Sequence, residues 1–224
     1  MRFSSILVPS AMGICVLAQN DITGKQGDAV TVTNNPVGKQ AIATLPDAPF
    51  FASGALAGNV KGSVKATGGA DGVGVDFEVT FSNLPTEGGP FTYHLHVDPV
   101  DGSGNCTKTL AHLDPFIRGE DPACDSAKPA TCQVGDLSGK YGKITSDPFT
   151  AKFHDNFTAL NEGPGSYFLN RSVVVHFANK TRITCANFEV QSTPTPTPTG
   201  SASSTGGGSV FTVALLVAAM LFAL

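Results

Sequence analysis

The chain has 224 residues, with 14 basic and 18 acidic side chains, 25 glycines, 15 prolines and no tryptophan, for a net charge of −4. That length allows one or two domains and is enough to bury a real core. An acidic balance without any basic cluster argues against nucleic acid as a partner.

Arg2 precedes an apolar stretch over residues 6–18, and Val16-Leu17-Ala18 supplies the small residue needed for cleavage before Gln19. Residues 1–18 therefore read as a secretory signal, the run being too short to span a bilayer as an anchor. Loss of Arg2 with it leaves 13 basic against 18 acidic side chains, a net −5. Loss of Cys15 leaves Cys106, Cys124, Cys132 and Cys185. An even number in an oxidising compartment reads as two disulfides, with three connectivities open.

Residues 19–190 form the expected globular domain. Within it Val73, Val75, Phe77, Val79 and Phe81 alternate with Gly74, Asp76, Glu78 and Thr80, and Asn83-Leu84-Pro85 ends the run. Alternation with period two predicts a strand with one face in the core. Similar short runs occupy residues 58–67, 91–97, 149–153, 172–177 and 181–190, separated by Gly, Pro, Asn and Asp. No segment shows a helical period, so an all-β antiparallel sandwich or barrel is expected. Residues 98–140 make a long loop holding His112 and three cysteines, and long loops on β-scaffolds commonly carry function. Sequons occur at Asn105, Asn156, Asn170 and Asn179. Asn105 precedes a cysteine expected in a disulfide, which leaves Asn156, Asn170 and Asn179 as the expected glycosylation sites.

Toward the C-terminus, residues 191–205 are a Ser/Thr/Pro-rich stalk, followed by a small-residue spacer and an almost wholly apolar run over residues 210–224. That order fits a glycosylphosphatidylinositol (GPI) signal, with residues 206–224 removed and attachment at Gly200 or Ser201. The Thr/Pro repeat predicts an extended, O-glycosylated spacer.

His94-Leu95-His96 is the most informative motif. Alternate side chains of a strand share a face, so the two imidazoles project together while Tyr93, Leu95 and Val97 point the other way. His112 and His176 can complete an all-nitrogen set, and such a set suits copper. His154, by contrast, alternates outward with Thr150 and Lys152 and reads as a plain exposed histidine.

These residues resemble the copper-zinc superoxide dismutases, and more closely their fungal cell-surface, copper-only branch. The resemblance lies in Tyr93-His94-Leu95-His96, Cys106 six residues before His112, Val134-Gly135-Asp136-Leu137, Arg171 to His176, and Arg182-Ile183-Thr184-Cys185. It implies an eight-stranded Greek-key β-barrel or sandwich of the copper-zinc superoxide dismutase type, with His94, His96, His112 and His176 as ligands of one copper per chain. It also implies that Arg182 attracts and orients superoxide and that Cys106 pairs with Cys185, which leaves Cys124 and Cys132 as a staple of the long loop. Arg171 reads as structural. In the zinc-containing pattern two more histidines and an aspartate follow the bridging histidine. Here residues 113–135 hold no histidine, Gln133 stands where the second would be, and only Asp136 remains. One carboxylate cannot hold zinc alone, so no zinc is expected. His176 and Arg182 are only six residues apart, so the loop that covers the channel in zinc-containing relatives is missing and an open site is expected.

The implied activity is conversion of superoxide to dioxygen and hydrogen peroxide. His112 can supply protons if it leaves copper on reduction, with Asp136 or Gln133 orienting its far nitrogen from behind; Asp136 could equally be a turn or cap residue. The expected setting is a secreted monomer at the cell surface, held by GPI lipid or cell-wall glucan. A non-catalytic copper-buffering wall protein is the alternative, and Arg182 argues against it, because storage needs no anion-steering cation. An inert wall domain would have no use for four aligned histidines.

Overall fold

The computed structural model describes residues 26–51 and 57–192. They belong to the first of two units, ending at Thr193; the second, from Pro194, lies wholly outside the described residues. The signal read at residues 1–18, the stalk beyond residue 192, the attachment pair Gly200 and Ser201, and the apolar tail also lie outside them.

Eight strands among the described residues form two antiparallel sheets: β1 (Gln40–Thr44), β2 (Lys61–Gly68), β3 (Val75–Ser82), β4 (Thr92–His96), β5 (Phe149–Asp155), β6 (Ser172–His176), β7 (Arg182–Asn187) and β8 (Glu189–Gln191). The larger sheet has the order β5-β3-β2-β1-β8 and the smaller β4-β6-β7. The chain leaves the first sheet after β3, returns for β5 and leaves again for β6, a Greek-key path. The fold is thus the all-β, eight-stranded type expected.

Period-two alternation decides which side chains meet between the sheets. On β3, Val75, Phe77, Val79 and Phe81 are buried while Asp76, Glu78 and Thr80 face solvent. Val64 and Ala66 of β2 join them against Tyr93 and Leu95 of β4, Val173 and Val175 of β6, and Ile183 of β7. Phe77 lies opposite Phe153 in register, their ring centroids 5.4 Å apart. Each such fully buried side chain contributes about 1.5–3 kcal/mol. Because Tyr93 and Leu95 fill this core, His94 and His96 must project from the opposite face of β4.

Three features depart from the sequence expectation. β1 was absent from it, since Gln-Ala-Ile-Ala-Thr has little β-branched or aromatic signal; its Ala41 and Ala43 are fully buried small residues. A short helix, α1 (Leu137–Tyr141), follows Asp136, whose carboxylate accepts from Gly139 N at 2.7 Å as its N-cap. The run over residues 181–190 is two strands, because Phe188 turns its ring inward against Phe168, centroids 4.9 Å apart, and passes the chain from the smaller sheet to the edge of the larger.

Cys106 is bonded to Cys185 across a separation of 79 residues, and Cys124 to Cys132 across 8. Cys106 and Cys185 pack with Val174 on the outer face of the smaller sheet, which fastens the loop after β4 to β7. In the chain-entropy account the 79-residue closure is worth about 4.5 kcal/mol and the short one about 2.5. Replacing Cys106 and Cys185 with Ala together should therefore cost about 4–5 kcal/mol in denaturant unfolding, and the Cys124/Cys132 pair only about 2–3. Equal losses would show that the long closure does not dominate.

Candidate metal centre

His94 and His96 leave the outer face of β4, and two other segments bring a further imidazole each. His112 reaches the site because its segment pairs backbone-to-backbone with β4, through a bridge to His96 and through Leu113 N to Leu95 O at 2.8 Å. His176 ends β6, where a bulge between Val175 and His176 shifts the register so that His176 stands opposite Arg182. Such an irregularity re-aims side chains. One nitrogen from each of the four histidines falls within 4.8 Å of the others.

Hydrogen bonds at the outer edge of each ring decide which nitrogen turns inward. His96 Nδ1 donates to Leu110 O at 2.9 Å and His176 Nδ1 to Lys180 O at 3.0 Å. A carbonyl only accepts, so both Nδ1 atoms carry the proton and both Nε2 atoms present lone pairs. His112 Nδ1 lies 2.7 Å from Gln133 Oε1, while Gln133 Nε2 donates to Asp114 Oδ2 at 3.2 Å. The amide oxygen therefore faces the imidazole, and His112 too turns Nε2 inward. His94 is reversed: its Nε2 meets Ser138 Oγ at 3.2 Å and Asp136 Oδ1 at 3.4 Å, which leaves Nδ1 as the inward atom.

Those inward atoms fit a metal ion. His94 Nδ1 is buried without a hydrogen-bond partner, an orphan acceptor that is costly unless something cationic meets it. His96 Nε2 and His176 Nε2 are 3.2 Å apart with lone pairs facing, which is repulsive unless a cation sits between them. Metal–imidazole bonds of about 2 Å put ligand nitrogens about 3–4 Å apart, close to the spacing here. Four neutral imidazoles without carboxylate or thiolate are a donor set that suits copper.

Arg182 borders this set from the start of β7. Its Nη1 donates to Cys106 O and its Nη2 to Leu110 O, so both ends of the guanidinium are fixed on the loop that the Cys106–Cys185 bond fastens. Burial lowers its pKa somewhat from the usual arginine value, but the group stays cationic. His94, His96 and His176 are buried; His112 and Arg182 are half-exposed and make the way in. The half-exposed His112 and Arg182 mark the edge along which the site meets solvent.

Gln133, rather than Asp136, meets the far nitrogen of His112. Asp136 is taken up by capping α1 and lies beside His94 instead. Burial works to raise its carboxyl pKa, yet the hydrogen bonds from His94 and from Gly139 N act against it and the carboxyl is held below the ordinary value. Ser138 went unnoticed in the sequence, since a serine in Leu-Ser-Gly-Lys-Tyr carries no signal until α1 is known. His154 lies outside the set, on β5, with Nδ1 2.8 Å from Asp76 Oδ1 and Nε2 3.1 Å from Asn156 Oδ1. Arg171 holds Tyr167 O and Val97 O, both at 2.6 Å, a structural brace. Asn156, Asn170 and Asn179 are exposed, and Asn105 is half-buried.

Burial first, and then the charge of neighbouring imidazoles, depresses the histidines: His96 to about 2, His176 to about 3 and His112 to about 4. In the unfolded chain these groups titrate near 6.5. Below that pH the unfolded state binds protons that the folded state refuses, so the metal-free protein loses stability as pH falls from about 6.5 toward about 4. Each imidazole contributes up to about 1.4 kcal/mol per pH unit. Calorimetry of the metal-free protein should show its melting temperature dropping between pH 7 and pH 5, with a shallower drop in His176→Ala. A flat profile would refute the burial of neutral imidazoles.

No model of a known protein family matches the chain. It is 35% identical to a cell surface Cu-only superoxide dismutase of Arthroderma benhamiae over 95% of its own length and 61% of that relative's. It is 38% identical to cell surface Cu-only superoxide dismutase 5 of Candida albicans over 58% of its own length and 54% of the relative's. The chain thus spans roughly half to three-fifths of the curated relatives it matches. A solved Cu(II) structure of Candida albicans superoxide dismutase 5 superposes with a TM-score of 0.59 at 33% identity, covering 70% of this chain and 94% of that one. With that near-complete overlap, and with the converging histidines beside a tethered arginine, the chain belongs to the fungal family of cell-surface copper-only superoxide dismutases.

Proposed function

We propose that this chain binds one copper ion through His94 Nδ1 and the Nε2 atoms of His96, His112 and His176, without zinc, and dismutates superoxide. The observation that carries the reading is the orphaned, buried His94 Nδ1 facing three imidazoles whose proton-bearing nitrogens are tied outward. Among the described residues this is the one cluster of histidine, cysteine or carboxylate side chains spaced for a metal. Similarity to proteins named for copper-only superoxide dismutation supports the same conclusion.

Bound copper supplies a one-electron couple, so that two superoxide ions and two protons become dioxygen and hydrogen peroxide. The chain's own residues do the rest. Arg182 spends two of its five N–H groups on Cys106 O and Leu110 O and offers the remainder, at a fixed position, to a small anion. His112, the least enclosed of the four clustered imidazoles, is the one placed to pass a proton at Nε2. The Gln133 amide oxygen accepts a hydrogen bond from Nδ1 but is too weakly basic to take its proton. Proton traffic is therefore confined to the inward nitrogen.

Similarity to proteins named as cell-surface enzymes, together with the Ser/Thr/Pro stalk and apolar tail of the sequence, supports a secreted protein held by GPI lipid at Gly200 or Ser201, with transfer to wall glucan as a second means of retention.

Copper loading of the secreted domain tests the function. It should take up one copper and negligible zinc, and gain nothing from added zinc. His94→Ala, His96→Ala and His176→Ala should lose activity by at least about a hundredfold, whereas His154→Ala keeps it. Arg182→Ala should retain copper, lose at least about tenfold in turnover, and show a flatter dependence on ionic strength. Stoichiometric zinc, or full activity in any of the three histidine variants, would overturn the reading.

A further inference from the structure

Lys140 and Asp155 form an ion pair whose side chains are both fully buried. Lys140 Nζ contacts Asp155 Oδ2 and also donates to Val134 O at 2.9 Å. Tyr141 Oη donates to the same carboxylate oxygen at 2.9 Å, while Asp155 Oδ1 accepts from Phe157 N at 2.9 Å and Thr158 N at 2.8 Å. Burial would raise the Asp155 pKa, yet Lys140 outweighs it and the carboxylate stays ionised. Burying such a pair is seldom the most stable solution, since apolar side chains of like volume often serve as well or better. Its placement suggests what it contributes.

The segment over residues 133–138 supplies every side chain that holds His112 and His94 from behind. Gln133 meets His112, and both Asp136 and Ser138 meet His94. Between them, Gly135 O accepts from Leu95 N at 2.9 Å, the residue separating His94 from His96, and Gly135 N donates to Leu113 O at 2.8 Å, beside His112. The segment runs into α1, a five-residue helix too short to hold itself. Lys140, in its last turn, reaches back to Val134 O and across to Asp155 on β5.

We propose that the Lys140–Asp155 pair is a positioning device for the copper ligands, clamping residues 133–138 so that Gln133 holds His112 and Ser138 and Asp136 hold His94. The distance between α1 and β5 is set by an ammonium–carboxylate contact of fixed direction, and the two histidines inherit that distance. Apolar replacements fill the space without prescribing it. The inference rests on the four histidines being copper ligands.

The test is the Lys140→Met/Asp155→Asn double variant, which removes both charges and keeps an acceptor for Phe157 N and Thr158 N. Its Cu(II) electron paramagnetic resonance spectrum and copper affinity by competitive titration are compared with wild type and with Val64→Ala. Val64 is fully buried on β2, separated by β3 from the β5 strand that carries Asp155 and paired with β1 and β3 rather than with residues 133–138, so that variant reports what general destabilisation does. We expect a broadened or split Cu(II) spectrum and about tenfold or more weaker copper binding in the double variant, a typical cost of losing support behind a ligand, with an unchanged spectrum in Val64→Ala. If the double variant does not fold, Lys140→Met alone, which leaves the Asp155 carboxylate its donors Tyr141 Oη, Phe157 N and Thr158 N, carries the comparison. An unchanged spectrum and affinity in a folded variant, or the same broadening in Val64→Ala, overturns the proposal. A wild-type domain with no nitrogen-coordinated Cu(II) signal overturns the metal reading, and this proposal with it.

Discussion

Everything in the centre depends on the outer nitrogen of each imidazole being tied down. A neutral imidazole has one donor and one acceptor nitrogen, so fixing the donor outward is what turns the acceptor inward. Two of the outer partners, Leu110 O and Lys180 O, are backbone atoms, so those tautomers depend on loop conformation and not on side-chain identity. The other two sets come from one short segment, with Gln133 behind His112 and Ser138 and Asp136 behind His94. Apolar packing puts the rings on the correct side of β4, and these polar contacts then orient them.

Leu110 O serves twice, accepting from His96 Nδ1 and from Arg182 Nη2. A metal-facing imidazole and the cation for the anionic substrate are thereby referenced to one oxygen. Aiming that carbonyl puts Leu110 at φ 58°, ψ −134°, a conformation costly for a side chain other than glycine by about 1–3 kcal/mol. Such a residue persists only where its surroundings over-determine it, and here they do. Arg182 Nη1 holds Cys106 O, the disulfide holds Cys106, and Thr109 Oγ1 donates to Cys106 O at 2.8 Å. The disulfide thus bears on chemistry as well as stability, since it fixes the loop on which Arg182 is hung.

Much of this could be read from residues alone, for reasons that also explain what could not. His94-Leu95-His96 was legible because strand geometry has a period of two and any alternation shows through. β3 was legible for the same reason. β1 was not, because alanines fit a tight sheet contact without advertising it. α1 was not, because five residues are barely more than one helical turn and reveal no period. The sequence left Gln133 and Asp136 both open as partners of His112, because both stand near the same place in the chain. What separates them is that Asp136 is the cap of a helix the sequence did not announce, and a capped carboxylate is already engaged. Ser138 became visible only through α1, and the strand switch at Phe188 only through the packing of its ring.

The short link between β6 and β7 has an electrostatic consequence. The turn that replaces a longer covering loop is closed by Phe177 N to Thr181 O and Lys180 N to Phe177 O, both at 2.9 Å. It carries Lys180, which pairs with Glu120 in the open. An exposed pair of this kind contributes little to stability, and its two charges largely cancel at a distance. Acidic residues elsewhere give the chain its net −4, but charges beyond about 8 Å are strongly screened at physiological salt. The field that an approaching anion meets is therefore set by what lies within a few ångströms of His112. There Arg182, pinned by two carbonyls and half-exposed, stands with Lys180 against the two carboxylates that bear on His112, Glu120 and Asp136, and Lys180 already offsets the first of these. An acidic protein can in this way present an attractive mouth to an anion without a charged loop to guide it.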